Sequence, residues 1–208
     1  METITSISTG ISIIAAIIAI FLNKYVFHEH KRKKFKAELE NYEEYFSKYY
    51  DTETSKNLPL LIRDKAAQNL TRLPNVNSEL VNYFINLHEK SLVSFDKIID
   101  HFNWGEKFIN IKKVSSQKKF KFTHKFKMPK FIRALHYIGY VLFILYAIGL
   151  VTNYLSIPSI PFWLKVIFSL CSIFLAFICL NKADDITESF EFLKLIDKAQ
   201  LDELESTI

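Results

Sequence analysis

The chain has 208 residues, half of them hydrophobic and 24% charged, with a formal net charge of +5. Four glycines and five prolines are too few for a turn-rich, many-stranded β fold, and they leave no glycine-rich loop to cradle phosphates. No Walker A loop, GxGxxG, HExxH, GxSxG or paired-cysteine metal motif occurs, so the chain carries no enzyme signature, although dispersed carboxylates would leave none. The wealth of Lys, Ile, Asn and Phe fits an AT-rich bacterial genome.

Residues 3–23 contain no charged side chain. At about 1.5 Å per residue they can cross a hydrocarbon layer of roughly 30 Å. The chain opens Met1-Glu2 and its positive charge follows the apolar run, the reverse of a secretory signal, so an uncleaved anchor is expected over 1–27. Along it Thr5, Ser8, Ser12, Ala15 and Ala19 recur at three- and four-residue spacing. Such a stripe of small side chains lets helices approach closely in lipid. Packing against the chain's own membrane helices is the expectation, and self-association around a pore is the sharper alternative.

His28 and His30 are two residues apart and point to different sides of a helix, so they do not form half a metal site. The basic run Lys31-Arg32-Lys33-Lys34 follows at once. Phe35, Leu39, Tyr42, Phe46 and Tyr49, at four-three spacing, predict an amphipathic helix continuing the first. A shorter helix is expected over 58–73, with Pro59 in its first turn and Pro74 beyond its end. A third, capped by Asn77 or Ser78, should follow the seam Leu80, Phe84, Leu87, Ser91, Phe95, Ile98 and Phe102, with Gly105 just past its end. Residues 108–114 and 119–127, the latter largely alternating Lys and Phe, predict a small β-hairpin with one aromatic and one basic face. A lone hairpin is marginal, so it needs the membrane or the helices behind it.

Between Arg133 and Lys165 there is no Asp, Glu, Lys or Arg, a stretch too long for one crossing. Ser156-Ile157-Pro158-Ser159-Ile160-Pro161 divides it into helices over 134–154 and 162–180. Tyr137, Tyr154 and Trp163 fall at the expected interfaces, and Lys165 is placed to snorkel. Cys171 and Cys179 lie within the last apolar run and read as packing residues rather than redox or metal groups. Residues 182–208 turn acidic, with Ile186, Phe190, Leu193 and Ile196 as an apolar side. They predict a fourth cytoplasmic helix packed on the insert, its acids facing the basic stretches.

These elements predict an all-α integral membrane protein of the cell's inner membrane. Its parts are a first crossing (1–27), a basic helical cytoplasmic domain (28–131), a transmembrane hairpin (132–181) and an acidic amphipathic tail (182–208). Basic flanks place the amino terminus outside and the carboxyl terminus in the cytoplasm. Anionic lipid, or another anion, is expected at Lys31, Arg32, Lys33, Lys34, Lys119, Lys121, Lys125, Lys127, Lys130 and Arg133. The interleaved Phe residues suit interfacial insertion or base stacking. A nucleotide or nucleic acid is the less favoured ligand, and no metal or cofactor is expected. The function so implied is a membrane-anchored, oligomerising binding or effector module, one version of which perturbs the membrane when its cytoplasmic part is engaged. The alternatives are a scaffold subunit of a larger membrane complex and a membrane-bound enzyme with an unrecognised site. In architecture alone, the build resembles small bacterial membrane proteins that act as effectors or exclusion factors in phage defence.

Overall fold

The computed structural model describes residues 24–50, 55, 57–114, 119–152 and 161–205. The expected first crossing, with Thr5, Ser8, Ser12, Ala15 and Ala19, lies outside those residues, as does the turn at 153–160. The described chain is mostly helical with one small sheet. In order it forms α1 (Lys24–Lys48), α2 (Leu60–Thr71), α3 (Ser78–Glu89), α4 (Phe95–Gly105), a 3-10 turn (Glu106–Phe108), β1 (Ile109–Val114), β2 (Lys119–His124), α5 (Pro129–Val151) and α6 (Phe162–Glu205). Two compact units result, Met1–Ser78 and Glu79–Ile208, the boundary falling inside the insert expected at 28–131.

In the first unit, α1 carries four i,i+4 Lys–Glu pairs: Lys33–Glu29, Lys34–Glu38, Lys36–Glu40 and Lys48–Glu44. All are at least partly exposed to solvent, so each supports the helix only weakly. The expected apolar seam is not the buried face. Phe35 and Leu39 are 65% and 56% exposed, and the side chain α1 buries most deeply among those described is Tyr45, beside Arg63 and Asp64 of α2. The short α2 covers only this lower part of α1. Arg72 closes α2 in the left-handed region (φ 58°). The Asp64 carboxylate then accepts both the amide and the hydroxyl of Ser78 at 2.8 Å.

In the second unit, the single helix expected along Leu80–Phe102 is two. Ser91 takes φ 57°. Its N–H donates to the His88 carbonyl (2.8 Å), and that of Leu92 donates to Leu87 (3.1 Å). This is the paired closure of a Schellman motif, made with serine where glycine is usual. The seam residues on either side, from Leu80, Phe84 and Leu87 to Phe95, Ile98 and Phe102, are all buried, while Ser91 is exposed. β1 and β2 form the expected antiparallel hairpin, in register from Ile109 opposite His124 to Val114 opposite Lys119.

The sequence predicts a crossing at 162–180 and a separate tail helix, whereas α6 is one helix of 44 residues, about 66 Å long. Its acidic half is the spine of this unit, burying Ala183, Ile186, Ser189, Phe192, Leu193, Ile196 and Ala199. Phe192 meets the rings of Phe102 and Phe122 at 5.2 Å and that of Phe84 at 5.9 Å. Each such buried phenylalanine stabilises by about 1.5–3 kcal/mol through burial alone.

The apolar half of α6 runs antiparallel to α5. Ser169 Oγ donates to the Ala147 carbonyl (3.3 Å), and the Tyr137 hydroxyl donates to Asp184 (3.3 Å). Small residues line the seam between the two helices: Gly139, set against Cys179, and Ala147 on α5, and Ser169, Ser172 and Ala176 on α6. Both helices are long and apolar enough to cross a membrane, with mean hydropathy 2.0 and 2.3 over their most apolar stretches, only 17% of which is buried. In water such a surface would far exceed the apolar patches a monomer tolerates.

Candidate functional site

Of the basic residues singled out in the sequence, Lys121, Lys125, Lys127, Lys130 and Arg133 fall where β2 runs into α5. Along β2 the alternation holds, but its aromatic face is spent. Phe120 and Phe122 are 7% and 6% exposed, packed on Tyr83, and Phe122 also stacks near Phe84 and Phe192. They are therefore not available for base stacking or for insertion into lipid. Lys121 stands exposed on the opposite face; the Lys119 side chain lies outside what is described.

The strand ends at His124, so Lys125 and Lys127 lie on a bend, both exposed. The Lys125 amide donates to the Phe108 carbonyl at 2.8 Å, and the Phe126 ring sits 5.9 Å from that of Phe108. This pins the start of the bend. Pro129 opens α5, its fixed φ suited to a first helical turn. Beyond the bend come exposed Lys130 and half-buried Arg133. The Arg133 guanidinium lies 5.1 Å from the Phe190 ring centre, a cation–π contact, and the His124 ring meets that same phenylalanine edge-on at 4.4 Å. Burial lowers the His124 pKa from its ordinary 6.5, and its buried Nδ1 has no hydrogen-bond partner. Near neutral pH the charge here therefore resides on Lys and Arg.

Lys31, Arg32, Lys33 and Lys34 are exposed on α1, in the other unit, with Lys33 and Lys34 paired to Glu29 and Glu38. Among the described residues, the paired acids of α6 find partners other than Lys121 of β2. Glu203 binds Lys90 (2.6 Å), Glu188 binds His101 and Asp184 takes the Tyr137 hydroxyl. The reason is geometric: β2 lays Phe120 and Phe122 on the helices, and Lys121 consequently stands on the opposite, exposed face. Burial raises the Asp185 pKa, against the opposing pull of Lys107 and Lys182. Sequence reasoning missed Gln200, whose amide donates to both the Tyr83 hydroxyl (2.8 Å) and the Phe120 carbonyl (2.9 Å), tying α6 to α3 and β2. A polar residue on an acidic helix gave no signal of this.

Among the described residues no three His, Cys, Asp or Glu side chains are grouped to hold a metal ion. A groove of about 630 Å³ beside His124 and Phe190 is rimmed by Lys194, Asp197, Lys198 and Asp202, charges of both signs that select no ligand. The structure thus defines a class: a helical protein with two membrane-competent helices and a basic–aromatic bend at the head of the first. Comparison of the chain with protein-family models, curated proteins and solved structures finds no match.

Proposed function

We propose that the chain is a multi-pass protein of a bacterial inner membrane, amino terminus outside and carboxyl terminus in the cytoplasm, serving as an oligomerising binding or effector module. One observation carries this reading: a single helix, α6, supplies both an exposed apolar half and the spine of the aromatic core. A partner bound by the domain acts on the membrane hairpin with no linker between. The basic residues before α5, and Lys31–Lys34 on α1, support the orientation and favour anionic headgroups. A scaffold subunit of a larger membrane complex is the second reading, favoured by the exposed Phe35, Leu39 and Phe46 on α1.

The two native cysteines make the test. Cys171 is exposed on α6, so in water it would react readily. In intact membranes a charged maleimide should leave it unlabelled until the bilayer is dissolved. In a cysteine-free background, Ser116→Cys should label only from the cytoplasmic side and Ser159→Cys only from the outside. Fast labelling of Cys171 in intact membranes would remove the spanning hairpin, and labelling of Ser116→Cys from outside would invert the topology.

A further inference from the structure

We infer that the bend from Lys125 to Phe131 is an amphipathic wedge seated in an anionic bilayer surface, Phe126, Met128 and Phe131 entering below the headgroups and Lys125, Lys127 and Lys130 lying among them. This rests on the reading of α5 as membrane-spanning and names the residues and lipid class that meet at its head. The first support is continuity. Phe131, Leu135, Ile138, Leu142 and Leu145 recur at four-three spacing and are 61%, 55%, 56%, 60% and 59% exposed. Phe131 is thus the first member of the apolar stripe that runs the length of α5, and whatever solvates Leu142 extends to it.

The second support is what the bend withholds from the core. Phe120 and Phe122 are buried a few residues earlier, yet Phe126 and Met128 remain 45% and 64% exposed. The bend is held in place, by the Lys125–Phe108 hydrogen bond at one end and Pro129 at the other, so these side chains project from a fixed support. The third is charge. From Lys119 to Arg133 there is no carboxylate, and Lys125, Lys127 and Lys130 are all exposed. A segment whose only charges are cationic, carrying an apolar tip continuous with the exposed stripe of α5, matches an anionic bilayer rather than an acidic peptide or a nucleic acid. Each lysine near such a surface adds appreciable attraction, reduced by salt.

The experiment uses the full chain in nanodiscs with its two tryptophans removed (Trp104→Phe, Trp163→Phe) and one introduced, Phe126→Trp. Lipids brominated near the headgroup should quench it several-fold more than lipids brominated at the chain ends, and aqueous iodide should quench it weakly. Replacing the anionic lipid by a zwitterionic one, or Lys125, Lys127 and Lys130 by Gln, should weaken the bromolipid quenching. In the same background Leu142→Trp should be quenched by chain-end bromines. If Leu142→Trp escapes them, the spanning reading of α5 fails. If Leu142→Trp responds but Phe126→Trp is quenched only by iodide, or by neither quencher, the wedge is overturned while the span stands. Quenching unchanged by lipid charge and by the three Gln substitutions would overturn the anionic partner.

Discussion

A Cβ on Gly105 would stand 2.7 Å from both the Cα and the backbone nitrogen of Ser189. That is backbone against backbone, with no flexible side chain to yield. Gly105 keeps an ordinary right-handed φ of −86°, so it is glycine because α4 and α6 touch there, and not because the helix needs a left-handed stop. Gly105→Ala should therefore force the helices apart and cost about 1–3 kcal/mol, read as a lowered unfolding midpoint in detergent. Gly139→Ala would meet only Cys179 Sγ at 3.3 Å and should shift the midpoint less, a shift that Cys179→Ala relieves. A Gly105→Ala protein melting like the native one would refute the close approach. Sequence alone reads this glycine as a terminator, since a contact with a residue 84 positions away leaves no local mark. The same holds for the His101–Glu188 pair and for Gln200.

At the level of elements, the break between α3 and α4 shows where periodicity stops informing. A straight helix and two helices folded over one core satisfy the same four-three spacing, and six of the seven seam positions are buried either way. The exception is Ser91, the one polar member and the point of the break. A non-glycine residue in the left-handed region gives up about 1 kcal/mol. Ser91→Gly should raise the unfolding midpoint modestly, and the β-branched Ser91→Ile should lower it. A midpoint lowered by Ser91→Gly would mean a continuous helix, in whose interior glycine is the poorer residue. The β-hairpin is legible because alternate Lys and Phe admit one arrangement over a core, and the structure fixes which face is which: Phe120 and Phe122 are internal, and Lys121 stands on the exposed side.

For the molecule as a whole, the continuity of α6 has the largest consequence. No glycine or proline follows Pro161, so nothing ends a helix where the charges begin; on the proposed membrane reading, the change of composition at Lys182 is a change of solvent and not of structure. A Gly-Gly insertion between Lys182 and Ala183 separates the two consequences. If the domain works through α6, overexpression of the native chain should arrest growth, and the insertion should abolish that arrest while membrane insertion and helix content persist. Arrest undiminished in the insertion variant would favour the scaffold reading.

The part of α6 beyond residue 180 is 25 residues long, about 37 Å. Helices in bilayers adjust their tilt to the local hydrocarbon thickness. A change in tilt of about 10° would carry the far end of α6 roughly 6 Å sideways. On the proposed reading of α6 as membrane-spanning, with α3, α4 and the β-hairpin packed along its far half, it would be a lever arm, turning a small difference in bilayer thickness into a displacement large enough to open or close a contact at its tip.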